Sequence, residues 1–368
     1  MNVSGEENLT QNSLTYSRLD TSRTLWYCFR SLFSGTLCFV QHMVLHQDNP
    51  AAMPAVSVVL TTYNGERYLR EAIDSIVNQT FRDFEFIIVD DASTDSTPTI
   101  LRHYQEKDPR ITVLRNEANR GGTASLNVGL AHARGAYVAV MDHDDVSLPG
   151  RLRAQVDFLQ NHPDIFLVGT RAHIIDERGV RISTSKSPTD PDAIARMLPK
   201  RNPFYHPSVM FRNDSSVRYR EKIRYVMDYD LYLRLVLAGK RLANLPDVYL
   251  CYRLTSTSAT LQKREQQELF AQAVQRLYDE RLRTGQDSYE QFDPHTVLSV
   301  DPDASTDKLV IREHAAGLFR ANNFSEARRY CRKYFRLHGW DARVALQYCA
   351  SFLGKRFMTL KRRFIARV

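Results

Sequence analysis

The sequence predicts an α/β fold: a mostly parallel sheet flanked by helices, with a helical appendage at the C-terminal end. Three observations carry this. Between Val56 and Asp145, short apolar runs alternate with segments of helical periodicity, the pattern of a parallel sheet covered on both faces. The first run, VSVVL, is apolar enough to be buried on both sides. Beyond Arg253 the strand-like runs stop and helical spacing takes over.

The elements follow in order. VSVVL is the first strand, and Tyr68, Leu69, Ala72, Ile73, Ile76 and Val77 then recur at helical spacing. FEFIIVD is the second strand. TPTILRHYQ is a helix with Pro98 in its first turn, where a missing N–H does no harm. ITVLR is the third strand, TASLNVGLAHA a helix and AYVAVMD the fourth strand. After a polar junction, TSTSATLQKREQQ, a helical hairpin is expected from Ala315, Leu318, Phe319, Phe324, Ala327, Tyr330 and Phe335, turning at RANNFS. The expected organisation is an N-terminal extension over 1–52, a catalytic domain over 53–260 and a helical region over 261–368. Met53 stands directly before the first strand, so it offers an alternative start. The apolar stretch TLWYCFRSLFSGTLCFVQHMVLH is interrupted by Arg30, and the uncharged run after it falls short of the roughly 20 residues a spanning helix needs.

Ligands of such sheets bind at the carboxyl ends of the strands, so the strand ends form the candidate site. The first ends in Thr61, Thr62, Tyr63 and Asn64, the second in Asp90 and Asp91, and the fourth in Asp142, His143, Asp144 and Asp145. A tyrosine that stacks, carboxylates that accept from a base or ribose, and an acidic cluster that holds a hard cation together suit a nucleotide diphosphate. Like charges this close repel and shift one another's pKa. The cluster therefore calls for a counter-charge, and a divalent metal is the expected one.

The stretches VSVVLTTYNGERYLREAIDSIVNQTFRDFEFIIVDDASTDST, NRGGTASLNVGLAHARGAYVAVMDHDD, HPSVMFR and MDYDLYLRL resemble, in order and spacing, the family 2 glycosyltransferases with the A-type nucleotide-sugar-binding fold. The likeness covers about Pro54 to Arg253, and ordered motifs are far more specific than a lone D-x-D. It implies an inverting, metal-dependent enzyme. The implied donor is a nucleotide-diphosphate sugar, with a UDP-sugar expected, and the implied acceptor is a hydroxyl of a cell-surface polysaccharide or lipid-linked glycan. By resemblance Thr61 and Tyr63 meet the nucleobase, with Asn64 on the same strand end. Asp91 accepts from the base with Asp90 beside it. Asp142 and Asp144 are the D-x-D pair that holds Mg²⁺ or Mn²⁺ on the donor diphosphate, and Asp145 shapes the donor-sugar pocket. Asp228 matches the catalytic base, with Met227 where the motif more often has Glu. Arg120, ahead of Gly121 and Gly122, is expected to bring a cation near the phosphates.

The chemistry needs these residue types. Displacing a sugar from its diphosphate puts negative charge on the leaving group, which a cation held by hard oxygen ligands stabilises. On the opposite side the acceptor hydroxyl loses a proton, and one positioned carboxylate accepts it. Each residue also has a plainer reading. Asp90, Asp91, Ser93 and Asp95 suit a helix-capping turn. Asp228 and Asp230 suit a helix N-terminus, His206 suits a hydrogen-bonded buried histidine, and Tyr63 suits simple packing. Two other functions compete: a nucleotidyltransferase of related architecture, and a catalytically silent nucleotide-sugar-binding protein. The first normally carries a glycine-rich basic loop after its first strand, and TTYNGERYL is not one.

Composition sets wider bounds. The chain has 368 residues, 43% hydrophobic, enough for one large domain and an appendage, and a formal net charge of +8. No basic stripe with interleaved aromatics appears in the sheet region, so no nucleic-acid partner is expected. Cys28, Cys38, Cys251, Cys331 and Cys349 are scattered without a C-x-x-C pair, which fits a reducing cytoplasm. The final segment, FLGKRFMTLKRRFIARV, puts Leu353, Phe357, Leu360, Phe364 and Val368 on one helical face among basic residues. Such a helix suits peripheral contact with the inner face of the plasma membrane, or packing on its own domain.

Overall fold

The chain is described by a computed structural model that defines residues 53–255, 264–298, 308–320 and 323–352. It divides into the units Met1–Ala52 and Met53–Val368, and all of the described residues lie in the second. The N-terminal extension and the basic tail predicted from sequence lie outside the described residues.

Strands β1 (Val56–Thr62), β2 (Phe84–Asp90), β3 (Ile111–Arg115) and β4 (Tyr137–Asp142) alternate with helices α1 (Leu69–Val77), α2 (Thr97–Lys107) and α3 (Gly122–His132). After β4 come β5 (Val146–Ser147), α4 (Arg151–Asn161), β6 (Ile165–Ile175), β7 (Arg181–Thr184), α5 (Pro191–Met197), β8 (Met210–Arg212), α6 (Met227–Leu237) and β9 (Arg241–Arg253). The described strands form one sheet in the order β3-β2-β1-β4-β8-β6-β9-β5, with β7 beside β6. β1 pairs in parallel with β2 and β4, and β2 with β3, which gives the predicted α/β half. Beyond β4 the sheet is mixed: β8 is antiparallel to β4 and β6, while β6 and β9 run parallel.

Burial explains the layering. Side chains alternate across a strand, so Val56, Val58 and Leu60 join one core with Leu69, Ala72, Ile73 and Ile76 of α1 and Ile100 and Leu101 of α2. Val59, Val138 and Val140 point the other way, into a core with Leu126 and Leu130 of α3 and Tyr229, Leu231 and Tyr232 of α6. α3 comes so close to β1 that a Cβ on Gly129 would lie 2.4 Å from Val59 Cγ1, so only glycine fits there. The helix Arg264–Thr284 adds Phe270, Ala273, Val274 and Leu277 to this second core. The predicted hairpin is present as helices Lys308–Arg320 and Phe324–His338, with a small core of their own around Ile311, Ala315, Tyr330, Cys331 and Tyr334.

β1 runs two residues past the apolar VSVVL, because Thr61 and Thr62 are β-branched and continue the ladder. Thr61 stands opposite Asp142 of β4, and Thr62 opposite Asp90 of β2. The three acidic and polar strand ends thus finish level on one rim.

Candidate active site

The rim begins with Tyr63, which is 45% exposed and so free to stack on a ligand; simple packing does not describe it. Asn64 has a positive φ of 49°. It is held there because its backbone N–H donates to Ser93 Oγ (2.9 Å) and its Oδ1 accepts from the Thr94 N–H (2.8 Å). The loop after β2 is thereby latched to the loop after β1.

Asp90 and Asp91 are buried and differ in their partners. Asp90 accepts from the Ser93 N–H and from Arg115 Nη1, both at 3.0 Å. Asp91 Oδ1 accepts from Asn116 Nδ2 (2.7 Å) and the Arg120 N–H (2.9 Å), and its Oδ2 accepts from the Gly121 N–H (2.8 Å). Burial pulls the Asp91 carboxyl up, but these hydrogen bonds outweigh it and hold the pKa below the usual carboxylate range. Arg120 meets the site through its backbone, and the residue is exposed. The capping predicted for this segment falls to Asp95, whose Oδ1 accepts from the Thr97 N–H at 2.9 Å.

The acidic turn after β4 is pinned by Arg253 at the end of β9. The Arg253 N–H donates to Asp145 Oδ1 (2.7 Å), its Nε to the Asp144 carbonyl (2.8 Å) and its Nη2 to Glu71 Oε2 (2.7 Å). Asp145 is 1% exposed, and its Oδ2 is buried without a hydrogen-bond partner. Burial first, then the charges of Asp144 and Asp228, push the Asp142 carboxyl up to about 7. Beneath the turn lies Arg151, fully enclosed. Burial lowers its pKa to about 9 against the pull of Asp145 and Asp142, so it stays cationic at neutral pH.

Asp228 faces the same space from α6. Its Oδ2 accepts from Asn202 Nδ2 at 2.7 Å, whereas the N-cap position of the helix belongs to Val226, which makes no side-chain cap bond. Asp228 thus lies in the first turn of α6, where an acid suits the helix N-terminus, with Asn202 as its side-chain partner. Asp230, two residues on, is tied up by Arg234 (2.8 Å) and Arg220 (3.5 Å). His206 is buried between Tyr232 Oη (2.8 Å from Nδ1) and Tyr219 Oη (3.2 Å from Nε2). Burial lowers its pKa although Asp228 pulls it up. The field of Asp228 thus reaches Asp142, His206, Tyr219 and Tyr232, which puts Asp142 and this carboxylate in one electrostatic neighbourhood.

The family model of glycosyl transferase family 2 matches residues 57–220. An uncharacterized glycosyltransferase of Methanocaldococcus jannaschii is 36% identical over 59% of this chain and 77% of its own length. The chain belongs to glycosyltransferase family 2. The O-antigen biosynthesis glycosyltransferase WbnJ of Escherichia coli is 35% identical over 55% of this family 2 chain and 81% of its own. For the amylovoran biosynthesis glycosyltransferase AmsE of Erwinia amylovora the values are 32%, 54% and 76%. A crystal structure of S. aureus TarS 1–349 in complex with UDP superposes with a TM-score of 0.50 at 20% identity, covering 81% of this glycosyltransferase and 88% of that chain. The two share the A-type fold.

The residues present fit a divalent cation. Asp142 and Asp144 offer hard oxygens, and a cation would offset the burial and the neighbouring acid charges that raise the Asp142 pKa. Among the described residues no cluster of three or more His, Cys, Asp or Glu is assembled to hold a metal, so further ligands would have to come from the donor diphosphate. Sequence reading of this glycosyltransferase missed Arg151, Arg253 and Asn202. Arg253 and Asn202 act through partners far along the chain, Arg151 bonds both nearby residues and distant Val209, and no local pattern marks the three.

Proposed function

We propose that this glycosyltransferase moves a sugar from a nucleotide-diphosphate donor, a UDP-sugar, to a hydroxyl of a cell-surface polysaccharide or lipid-linked glycan, with inversion at the anomeric carbon. The observation that supports the reading is that the charge of Asp228, on α6, reaches Asp142 at the start of the acidic turn. An acidic rim suited to a metal-bound diphosphate then lies near a carboxylate held by Asn202. Polysaccharide acceptors are supported by the relatives named for O-antigen and amylovoran biosynthesis.

Tyr63 stacks on the base, and the latched loops after β1 and β2 shape its pocket. Asp142 and Asp144 hold Mg²⁺ or Mn²⁺, which when bound neutralises charge on the departing diphosphate. Asp145, with Oδ2 unpartnered, accepts from a sugar hydroxyl. The acceptor oxygen attacks the anomeric carbon as the bond to the diphosphate oxygen breaks, its electron pair leaving with the nucleotide, while Asp228 takes the acceptor proton. Asn202 orients that carboxylate. The proposed place of work is the cytoplasm, with peripheral contact at the inner face of the plasma membrane. Among the described residues no helix is long and apolar enough to cross a membrane.

A screen of nucleotide-sugars for thermal stabilisation with Mn²⁺ present, followed by transfer assays and NMR of the product anomer, tests the reading. UDP-sugars should raise the melting temperature and yield an inverted product. Stabilisation without turnover on any glycan acceptor would favour the silent binding protein, and a retained anomer would overturn the single displacement.

A further inference from the structure

The acidic turn lies over a cation that no carboxylate pairs with directly. The Arg151 side chain donates from Nη2 to the Val140 and Val209 carbonyls (2.9 and 3.1 Å) and from Nε to Gln155 Oε1 (3.0 Å), and its Nη1 reaches Met141 Sδ (3.6 Å). All of these partners are neutral. A guanidinium is costly to bury among neutral groups unless its charge acts on something, and the charges it interacts with are Asp142 and Asp145. Arg253, the other arginine at the turn, is already matched by Glu71 at 2.7 Å.

We infer that Arg151 is the built-in counter-charge of the Asp142–Asp145 turn, and that it keeps Asp142 and Asp144 weak ligands for a lone divalent cation until donor diphosphate arrives. The inference rests on the metal-bound donor site proposed above. A fixed positive charge in a poorly screened interior opposes a second cation nearby. The negative diphosphate reverses that balance and brings the oxygens that the described residues lack. Donor and cation then enter together, and the nucleotide product and cation leave together. Arg151 is in this sense a positioning residue: it touches neither substrate nor metal.

The test is calorimetric titration of Mn²⁺ into the full chain, with and without UDP, for the starting protein and for Arg151→Gln, Arg151→Met and Arg151→Lys. Gln keeps a donor for the carbonyls without the charge, and Lys keeps the charge without the fork. The neutral variants should bind Mn²⁺ alone roughly tenfold tighter than the starting protein, narrowing the gap that UDP makes, while Lys stays near the starting value. Neutral variants that fold only with Mn²⁺ present would support the inference equally, because the metal would then be replacing the lost charge. Unchanged or weaker Mn²⁺ binding in the neutral variants overturns the inference alone, as does failure of all three variants to fold at any Mn²⁺ concentration. Absence of Mn²⁺ binding in every protein, even with UDP, overturns the metal-bound donor site as well.

Discussion

His206 sits between two tyrosine hydroxyls and, at 8% exposure, is screened from solvent. Its place in HPSVMFR suits a hydrogen-bonded buried histidine, and its partners are the two tyrosine hydroxyls. Replacing it with Ala strands Tyr219 and Tyr232 with buried hydroxyls, each costing about 1–3 kcal/mol. His206→Ala should therefore lose about 2–4 kcal/mol in urea unfolding, and a loss below about 1 kcal/mol would mean that the hydroxyls find other partners. Asp144 is a contrasting case, since its carboxylate is assigned to the cation and not to the fold. Asp144→Asn should keep its melting temperature while UDP affinity in Mn²⁺ and turnover both fall, and excess chelator should do the same to the unaltered protein. Full activity in chelator would contradict this. The acids were legible in the sequence because strand-end position marks them. The arginines were not: Arg151 binds carbonyls of Val140 and Val209, 11 and 58 positions away, and nothing beside it signals that it is buried.

The loop between β3 and α3 shows how one acid, Asp91 at the end of β2, organises an element. Asp91 gathers the backbone N–H groups of Arg120 and Gly121 and the amide of Asn116, closing the turn in which Gly121 takes a φ of 86°. Its folded pKa lies below the ordinary value, so its contribution to stability is present above the unfolded pKa, near about 4, and is lost as pH falls through the folded one. Melting curves from about pH 5 downward should show the unaltered protein losing its advantage over Asp91→Asn below about pH 4. A difference that stays constant across that range would show that the carboxylate charge is not what holds the turn. The helices and strands up to β4 were readable because each is a local periodic pattern. β8 is three residues long, and β6 finds its parallel partner β9 only after α5, β8 and α6. Pairings of that range leave no local trace, so the mixed half of the sheet could not be read from the sequence.

At the scale of the whole molecule, the described residues after Met53 build cores on both faces of the sheet, and the chain divides there. A protein started at Met53 should fold and turn over donor as the full chain does, and insolubility of that protein would show that residues 1–52 contribute to the fold. The fold also brings Asp228 of α6, far along the chain from the acidic turn, within the field of Asp142, where the proposed donor and acceptor chemistry would meet. The most direct test of that arrangement is Asp228→Asn, measured as kcat together with UDP affinity in Mn²⁺ and melting temperature. Asparagine keeps the shape and can still bond Asn202, but it cannot take a proton. UDP affinity and melting temperature should stay near normal while kcat falls about a hundredfold or more; retained kcat in a folded, UDP-binding variant would show that Asp228 is not the base.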